Sequence, residues 1–129
     1  MLAFAVPIAG SWLRNGRKDR CALDGCAIEP AFQVLLMAER EKSYRFCCVN
    51  CAEIWFERSA IEPQGIIVTD EVTGKQIDAA IAHFVRSSVV SVPTSGSCIH
   101  VFANAADAEQ HAETCQGTVL SESERPFRK

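Results

Sequence analysis

Two cysteine-rich stretches, residues 20–26 (RCALDGC) and residues 44–51 (YRFCCVNC), decide the fold of the first half of this chain. They hold five of the seven cysteines in the 129-residue sequence. Two thiolates separated by two to four residues in a tight turn can bind one metal ion, and a second such pair completes a tetrahedral set. We therefore predict a metal site formed by Cys21, Cys26, Cys47 and Cys51.

The choice between neighbouring cysteines and the choice between metal and disulfides both stay open at this level. Cys48 also has ligand spacing to Cys51, but adjacent side chains diverge, so Cys47 is preferred and Cys48 becomes a core residue or a spare thiol. Seven is an odd number of cysteines, which leaves at least one thiol outside a complete disulfide framework. The spacing favours metal over disulfides.

Local signals around these cysteines predict a treble-clef arrangement, which is a knuckle, a β-hairpin, a second knuckle and a helix. Gly25 can take the positive φ that a knuckle needs, and Asn50 is suited to cap a helix. Residues 31–39 and 43–46 read as two strands around a charged turn, and residues 52–59 read as the helix.

The second half is predicted to contain strand, strand, strand, helix and strand. The pattern of residues 77–85 fits a helix better than a strand, and Asn104 and Gly117 are predicted to begin and end a later helix. The other expected strands are residues 65–70, 98–103 and 118–120. The chain therefore reads as an α+β domain over residues 21–121, with halves 21–62 and 63–121 and a polar tail at 122–129.

The net charge and the N-terminal segment limit the kinds of partner that the sequence allows. The formal net charge is −3, so the sequence lacks the basic footprint of a nucleic-acid-binding protein. Residues 1–13 are apolar and basic residues follow up to residue 20, but the segment is shorter than the roughly 20 residues that span a bilayer. We interpret it as the remnant of an anchor that contacts a membrane, or as a helix lying on the domain. The location could be cytoplasmic, membrane-associated or, with a longer leader, periplasmic.

Two further residue pairs could bind metal. Cys98 and His100 lie two apart on a predicted strand and would face the same way. His111 and Cys115 lie four apart on a predicted helix. Packing in the core is the alternative for both cysteines.

A longer block in the second half resembles a known family. Residues 68–79 (VTDEVTGKQIDA) are similar to the VTD-x-x-TG-x-x-IDA stretch of NosL-like proteins, and the similarity continues through Phe102-Ala103 and Asp107-Ala108. The cysteine spacing also resembles the small treble-clef module called TRASH, found in heavy-metal sensing and trafficking proteins. The resemblance covers roughly residues 21–121.

This resemblance implies a copper(I)-binding accessory protein, a metallochaperone or sensor and not an enzyme, which serves a metalloenzyme or a transporter. It also implies two similar α+β halves and an extended conformation for residues 77–85, which we adopt over the helical pattern. The family's copper motif has the form C-x-x-C-x-M, whereas here four residues separate Cys21 from Cys26 and Ile28 stands at the methionine position.

Two alternatives to copper handling remain. Four thiolates could hold a structural zinc ion in a domain that serves protein interaction, so the expected cofactor is zinc or copper(I). A weaker alternative is thiol chemistry of the organomercurial-lyase type, using Cys48 or Cys98 with an aspartate.

Overall fold

Two antiparallel sheets, each accompanied by one α-helix, form the fold of the computed structural model, which describes residues 20–87, 89 and 97–127. The first sheet has the order β2-β1-β3-β4 and the second has the order β6-β5-β7. In chain order the elements are a 3₁₀ helix (Pro30–Phe32), β1 (Val34–Met37), β2 (Ser43–Phe46), α1 (Val49–Arg58), β3 (Gly65–Thr69), β4 (Gln76–Asp78), β5 (His83–Ser87), β6 (Ile99–Phe102), α2 (Ala105–Thr114) and β7 (Gly117–Val119). The α+β class is as predicted.

The apolar run that opens the hairpin is a strand because alternate side chains enter the core. Val34 and Leu36 are buried, while Met37 is exposed. β1 pairs antiparallel with β2, where Val34 lies opposite Phe46, and on its other side with β3, where Leu36 lies opposite Ile66. A strand paired on both sides can carry a nearly continuous apolar sequence, as this strand does.

The two sheets repeat one ββαβ plan. In each unit the first strand is central, the second lies on one side, and the strand after the helix lies on the other. The units span residues 34–69 and 83–119, and β4 extends the first sheet. Residue 62 was the predicted end of the first half, but β3, which follows it, pairs with β1 and so belongs to the first sheet. The chain passes from the first sheet to the second between β4 and β5.

Residues 77–85 are not helical, so the helical pattern was wrong and the extended conformation implied by the resemblance is confirmed. The segment is two strands and not one, because a turn separates β4 from β5. The Asp78 carboxylate accepts a hydrogen bond from the Ala80 backbone N–H at 2.9 Å, which forms this turn. The helical face would have included Ile81, which is 69% exposed.

The helix ends depart from the predicted positions at two of four places. Helix α1 is capped by Cys48 and not by Asn50, since the Cys48 Sγ accepts the Cys51 backbone N–H at 3.4 Å. Asn104 caps α2 as predicted. Gln116 takes the positive φ of 52° that ends α2, and Gly117 instead begins β7, where a Cβ would lie 2.8 Å from the Arg86 carbonyl oxygen.

The two units are joined by one hydrophobic core and by the turn after β3. Buried side chains from both sheets pack together, among them Leu36, Phe46, Val68, Phe84 and Val101. The Asp70 carboxylate accepts the Ala103 N–H at 3.2 Å, and the Glu71 carboxylate accepts the Val101 N–H at 3.0 Å. The block that resembles NosL-like proteins therefore fastens β6 to the first sheet.

The segments at the two ends bear on the membrane prediction. The predicted membrane contact of residues 1–13 lies outside the described residues. Within the described part of the chain, none of the helices has the length and apolar character needed to cross a bilayer.

In the predicted polar tail, the Phe127 ring packs edge-on against Phe56 at 6.1 Å, so these residues contact the core.

Candidate metal centre

The first part of the candidate site is a closed turn at residues 21–26. The Cys21 N–H donates to the Cys26 carbonyl at 2.8 Å, and the Gly25 N–H donates to the Cys21 carbonyl at 2.9 Å. Gly25 takes a φ of 76°, a conformation in which a Cβ would be strained. The Ala22 N–H donates to the Arg45 carbonyl at 2.8 Å, and this bond attaches the turn to the outer edge of β2.

The second part lies where β2 passes into α1. Cys47 follows the last residue of β2, and Cys51 lies in the first turn of the helix. This geometry brings their sulfur atoms to 3.6 Å from each other. Ligands bound about 2.3 Å from a tetrahedral zinc ion would lie about 3.7 Å apart, so the pair already has a spacing suited to a shared metal ion.

These two parts converge on a group of four potential ligands. One atom each from Cys21, Asp24, Cys47 and Cys51 lies within 4.8 Å of the other three. The three cysteines are buried, whereas Asp24 is exposed, so the carboxylate forms the solvent side of the group. The Cys51 sulfur lies 3.4 Å from the Asp24 Oδ2 atom.

The surroundings raise the pKa of two thiols of the group and lower the pKa of its carboxyl. Burial raises the pKa of the Cys47 and Cys51 thiols, and the charge of the neighbouring Cys48 raises both further. The Cys26 backbone N–H, which donates to Asp24 at 2.9 Å, lowers the pKa of the Asp24 carboxyl. In the metal-free protein the Cys47 and Cys51 thiols are therefore neutral beside an ionised Asp24 carboxylate, and a metal ion that binds these sulfurs would displace their protons.

The fourth predicted ligand, Cys26, is not among these four residues, whereas Asp24 is. Ligation by Cys26 stays a prediction. Asp24 raises the pKa of the half-buried Cys26 thiol, both by hydrogen bonding and by its charge. The sequence carried a signal for the carboxylate, because Cys21-x₂-Asp24 has the same two-residue spacing as a C-x₂-C pair. That signal is easily missed when only cysteines are counted.

The spare cysteine of the first half is next to the group but has another role. The Cys48 sulfur is buried and lies 3.9 Å from the Cys47 sulfur. It caps helix α1 through the Cys51 N–H. Cys48 thus holds the first helical turn in the position that brings Cys51 toward Cys47.

The remaining candidates of the second half do not form a comparable group. Cys98 precedes β6 and is exposed, whereas His100 is buried with its Nδ1 2.9 Å from the Glu71 carboxylate. A metal site at Cys98 and His100 stays a prediction. The Cys115 sulfur lies 3.9 Å from His111 Nδ1. Among the described residues, three or more potential ligands come within 4.8 Å of one another only around Cys21.

Comparison with known proteins supports the fold. No family model and no curated protein matches the chain. Among solved structures, the chain is similar to the copper chaperone NosL from Shewanella denitrificans, with a TM-score of 0.70, 21% sequence identity, and coverage of 88% of this chain and 93% of that one. The chain therefore has a NosL-like fold, as the resemblance of residues 68–79 implied.

Proposed function

We propose that this protein binds copper(I), or a similarly soft metal ion, at Cys21, Cys47 and Cys51, and passes it to another protein. The observation that carries the proposal is the convergence of three thiols and one carboxylate from two separate chain segments within 4.8 Å. The similarity to a copper chaperone supports a role in metal handling. The cargo is the metal ion, and the recipient would be a metalloenzyme or a transporter.

The donor set suits a soft ion held for transfer. Thiolates bind copper(I) strongly, and three of them satisfy an ion that accepts low coordination numbers. Asp24 is a hard oxygen donor on the exposed side of the group, so it adds little for copper(I) and can move aside. The bound metal would then be open to a recipient protein on this side, while the buried cysteines hold it.

A structural zinc site is the second candidate function, and the fourth ligand favours it. Three thiolates with one carboxylate complete a closed tetrahedral set, and the 3.6 Å separation of the Cys47 and Cys51 sulfurs fits such a site. In that case the protein would serve as an interaction domain and would keep its metal. The two candidates differ in whether the fold depends on the ion.

Thiol chemistry of the organomercurial-lyase type has the weakest support. Asp24 lies 3.4 Å from the Cys51 sulfur, but the Cys26 N–H keeps its pKa low, so the carboxyl does not hold a proton to donate. We expect an arylmercury compound to bind without release of its hydrocarbon. Detection of catalytic hydrocarbon release would contradict the non-enzymatic function.

Serine substitutions of single cysteines test the ligand set. Cys51→Ser and Cys115→Ser are a matched pair, because both residues lie in or at the end of a helix and only Cys51 belongs to the group. We expect Cys51→Ser to weaken copper(I) binding by at least about a hundredfold in competition with a chelator. Cys115→Ser should leave the affinity unchanged, and equal effects of the two substitutions would contradict the assignment.

A further inference from the structure

A cleft of about 520 Å³ opens directly beside Cys21, on the outer side of β2. Cys21 is the only member of the four-ligand group among its described lining residues. The cleft is lined by Arg20, Cys21, Ala22, Gly25, Ser43, Tyr44 and Arg45. It therefore connects solvent with one edge of the candidate metal centre.

The cleft carries uncompensated positive charge. Arg20 and Arg45 are exposed at its rim, and neither guanidinium forms an ion pair within the part of the chain that the structure describes. None of the described lining residues is acidic. Positive groups around a concavity attract anions, and an arginine side chain can hold a carboxylate with two parallel hydrogen bonds.

One wall of the cleft is held in place by aromatic packing. The Tyr44 ring lies 4.6 Å from the Trp55 ring, centroid to centroid, which ties this part of β2 to helix α1. The opposite side is the turn at residues 21–26, closed by its own backbone hydrogen bonds. A cleft with ordered walls and this volume suits a ligand of small-molecule size.

We propose that this cleft receives a small anionic thiol carrying copper(I), in which the carboxylates contact Arg20 and Arg45 while the metal reaches Cys21. This proposal rests on the proposed function and names the chemical class of the donor. A thiol is required because soft sulfur holds copper(I) in solution. Carboxylates are the groups that the two guanidiniums would recognise.

The transfer is a ligand exchange without a change of oxidation state. The Cys21 sulfur forms a bond to copper(I), and the bond between copper(I) and the sulfur of the small thiol breaks. The proton of the Cys21 thiol passes to the leaving thiolate, which departs as a neutral thiol group. Cys47 and Cys51 then complete the coordination from the buried side, and each releases its thiol proton to solvent as its sulfur binds copper(I).

Copper(I)–glutathione and copper(I)–glutathione diethyl ester, in which both carboxylates are masked, test the proposal with the full-length reduced protein. Transfer rates are followed by rapid mixing through the ultraviolet absorption of copper(I)–thiolate bonds. We expect glutathione to deliver copper(I) about tenfold faster than the ester at low salt, and the difference to shrink as salt screens the charges.

Arginine variants identify the charges responsible. Arg45→Gln and Arg20→Gln should each slow transfer from the glutathione complex about threefold, leaving the ester rate and the equilibrium affinity for copper(I) unchanged. Arg58→Gln is the control, because Arg58 is an exposed arginine at the end of α1 that does not line the cleft.

The outcomes separate this proposal from the proposed function. Equal rates from the two donors, or arginine variants that slow both donors alike, would overturn the cleft as an anion site while copper binding stands. Failure of the wild-type protein to take copper(I) from either donor would overturn copper handling itself, and the donor site with it.

Discussion

In the proposed metal site, Asp24 is the residue that we expect to distinguish one metal from another. Its carboxylate is the one oxygen donor among three thiols, and it lies on the exposed side of the group. Zinc accepts carboxylate ligands readily, whereas copper(I) prefers sulfur. The same four residues can thus form a closed site for zinc and an open three-sulfur site for copper(I).

Replacing this carboxylate should separate the two metals. We expect Asp24→Ala to weaken zinc binding by about tenfold or more and copper(I) binding by less than about threefold, measured in chelator competitions. Cys26→Ser is the control, since Cys26 lies outside the group and should change neither affinity strongly. A large loss of both metals in Cys26→Ser would restore the four-cysteine site that the spacing predicted.

Asp70 is the polar residue on which the junction of the two units depends. It is 2% exposed. Burial alone would raise the pKa of its carboxyl, but hydrogen bonds from the Thr73 hydroxyl at 2.6 Å and the Ala103 N–H at 3.2 Å outweigh burial and lower the pKa. The ionised carboxylate therefore stabilises the folded state.

We expect Asp70→Asn to lower the free energy of unfolding by about 2 kcal/mol at neutral pH, because an amide cannot accept from all of these donors. A folded pKa below the unfolded value gives a contribution that is complete above about pH 4 and disappears as pH falls through the folded pKa. Urea unfolding should thus give a smaller difference in the free energy of unfolding between Asp70→Asn and the wild-type protein in acid than at neutral pH.

The control for this substitution is Asp78→Asn. Asp78 is exposed and its carboxylate accepts one turn hydrogen bond, from Ala80, so the expected loss is below about 1 kcal/mol. Equal losses for the two variants would show that Asp70 has no special role.

For single residues, the sequence predicted which side chains come together better than it predicted which residue caps a helix. Spacing predicted that Cys21, Cys47 and Cys51 would converge, and the structure brings their sulfurs together. Their ligation of a metal stays a prediction. Asn50 was expected to cap α1, but the cap is Cys48, because the chain turns into the helix directly after Cys47. The observed cap lies two residues before the predicted one, and the apolar pattern of a helix does not fix its ends to within one or two residues.

At the scale of elements, the hairpin turn between β1 and β2 is the most strained feature. Arg40 and Glu41 both have a φ of 60°, although neither is a glycine or an asparagine. A left-handed conformation costs such residues roughly 1–2 kcal/mol each. The hairpin turn matters because β2 leads directly into Cys47 and because its outer edge binds the turn at residues 21–26.

A turn sequence suited to these angles should stabilise the protein. We expect the double substitution Arg40→Asn with Glu41→Gly to raise the free energy of unfolding by about 1 kcal/mol, measured in urea. Arg40→Ala retains the unfavourable backbone and should give no gain. A lower stability in the Asn-Gly variant would contradict the described turn.

Residues 77–85 show why some elements could not be predicted from pattern. The apolar positions fit both a helix and a strand, and the choice depends on partners that are distant in sequence. Ile77 lies opposite Val68 in the first sheet, and Phe84 lies opposite Val101 in the second. A motif-level resemblance carried this long-range information, whereas local periodicity did not.

For the whole molecule, the repeat of the ββαβ plan is the main result that the sequence only hinted at. Each unit places its first strand between its second strand and the strand that follows its helix. The candidate metal centre belongs to the first unit. The contact between the buried His100 side chain and the Glu71 carboxylate joins the second unit to the first.

Much of the core is formed by residues outside the metal group. Large buried side chains from both sheets fill it, and Cys21, Cys47 and Cys51 are also members of this core. We therefore expect the metal-free protein to remain folded. This property distinguishes a protein that passes metal on from a domain that a structural ion holds together.

A copper(I) titration of the reduced, chelator-treated protein against a competing copper(I) chelator, followed together with circular dichroism, tests metal transfer most directly. We expect a folded metal-free protein that binds one copper(I) ion per chain and releases it to excess chelator without unfolding. A protein that retains one zinc ion per chain, and that loses its fold when copper(I) or a chelator removes the zinc, would contradict transfer and establish a structural zinc site.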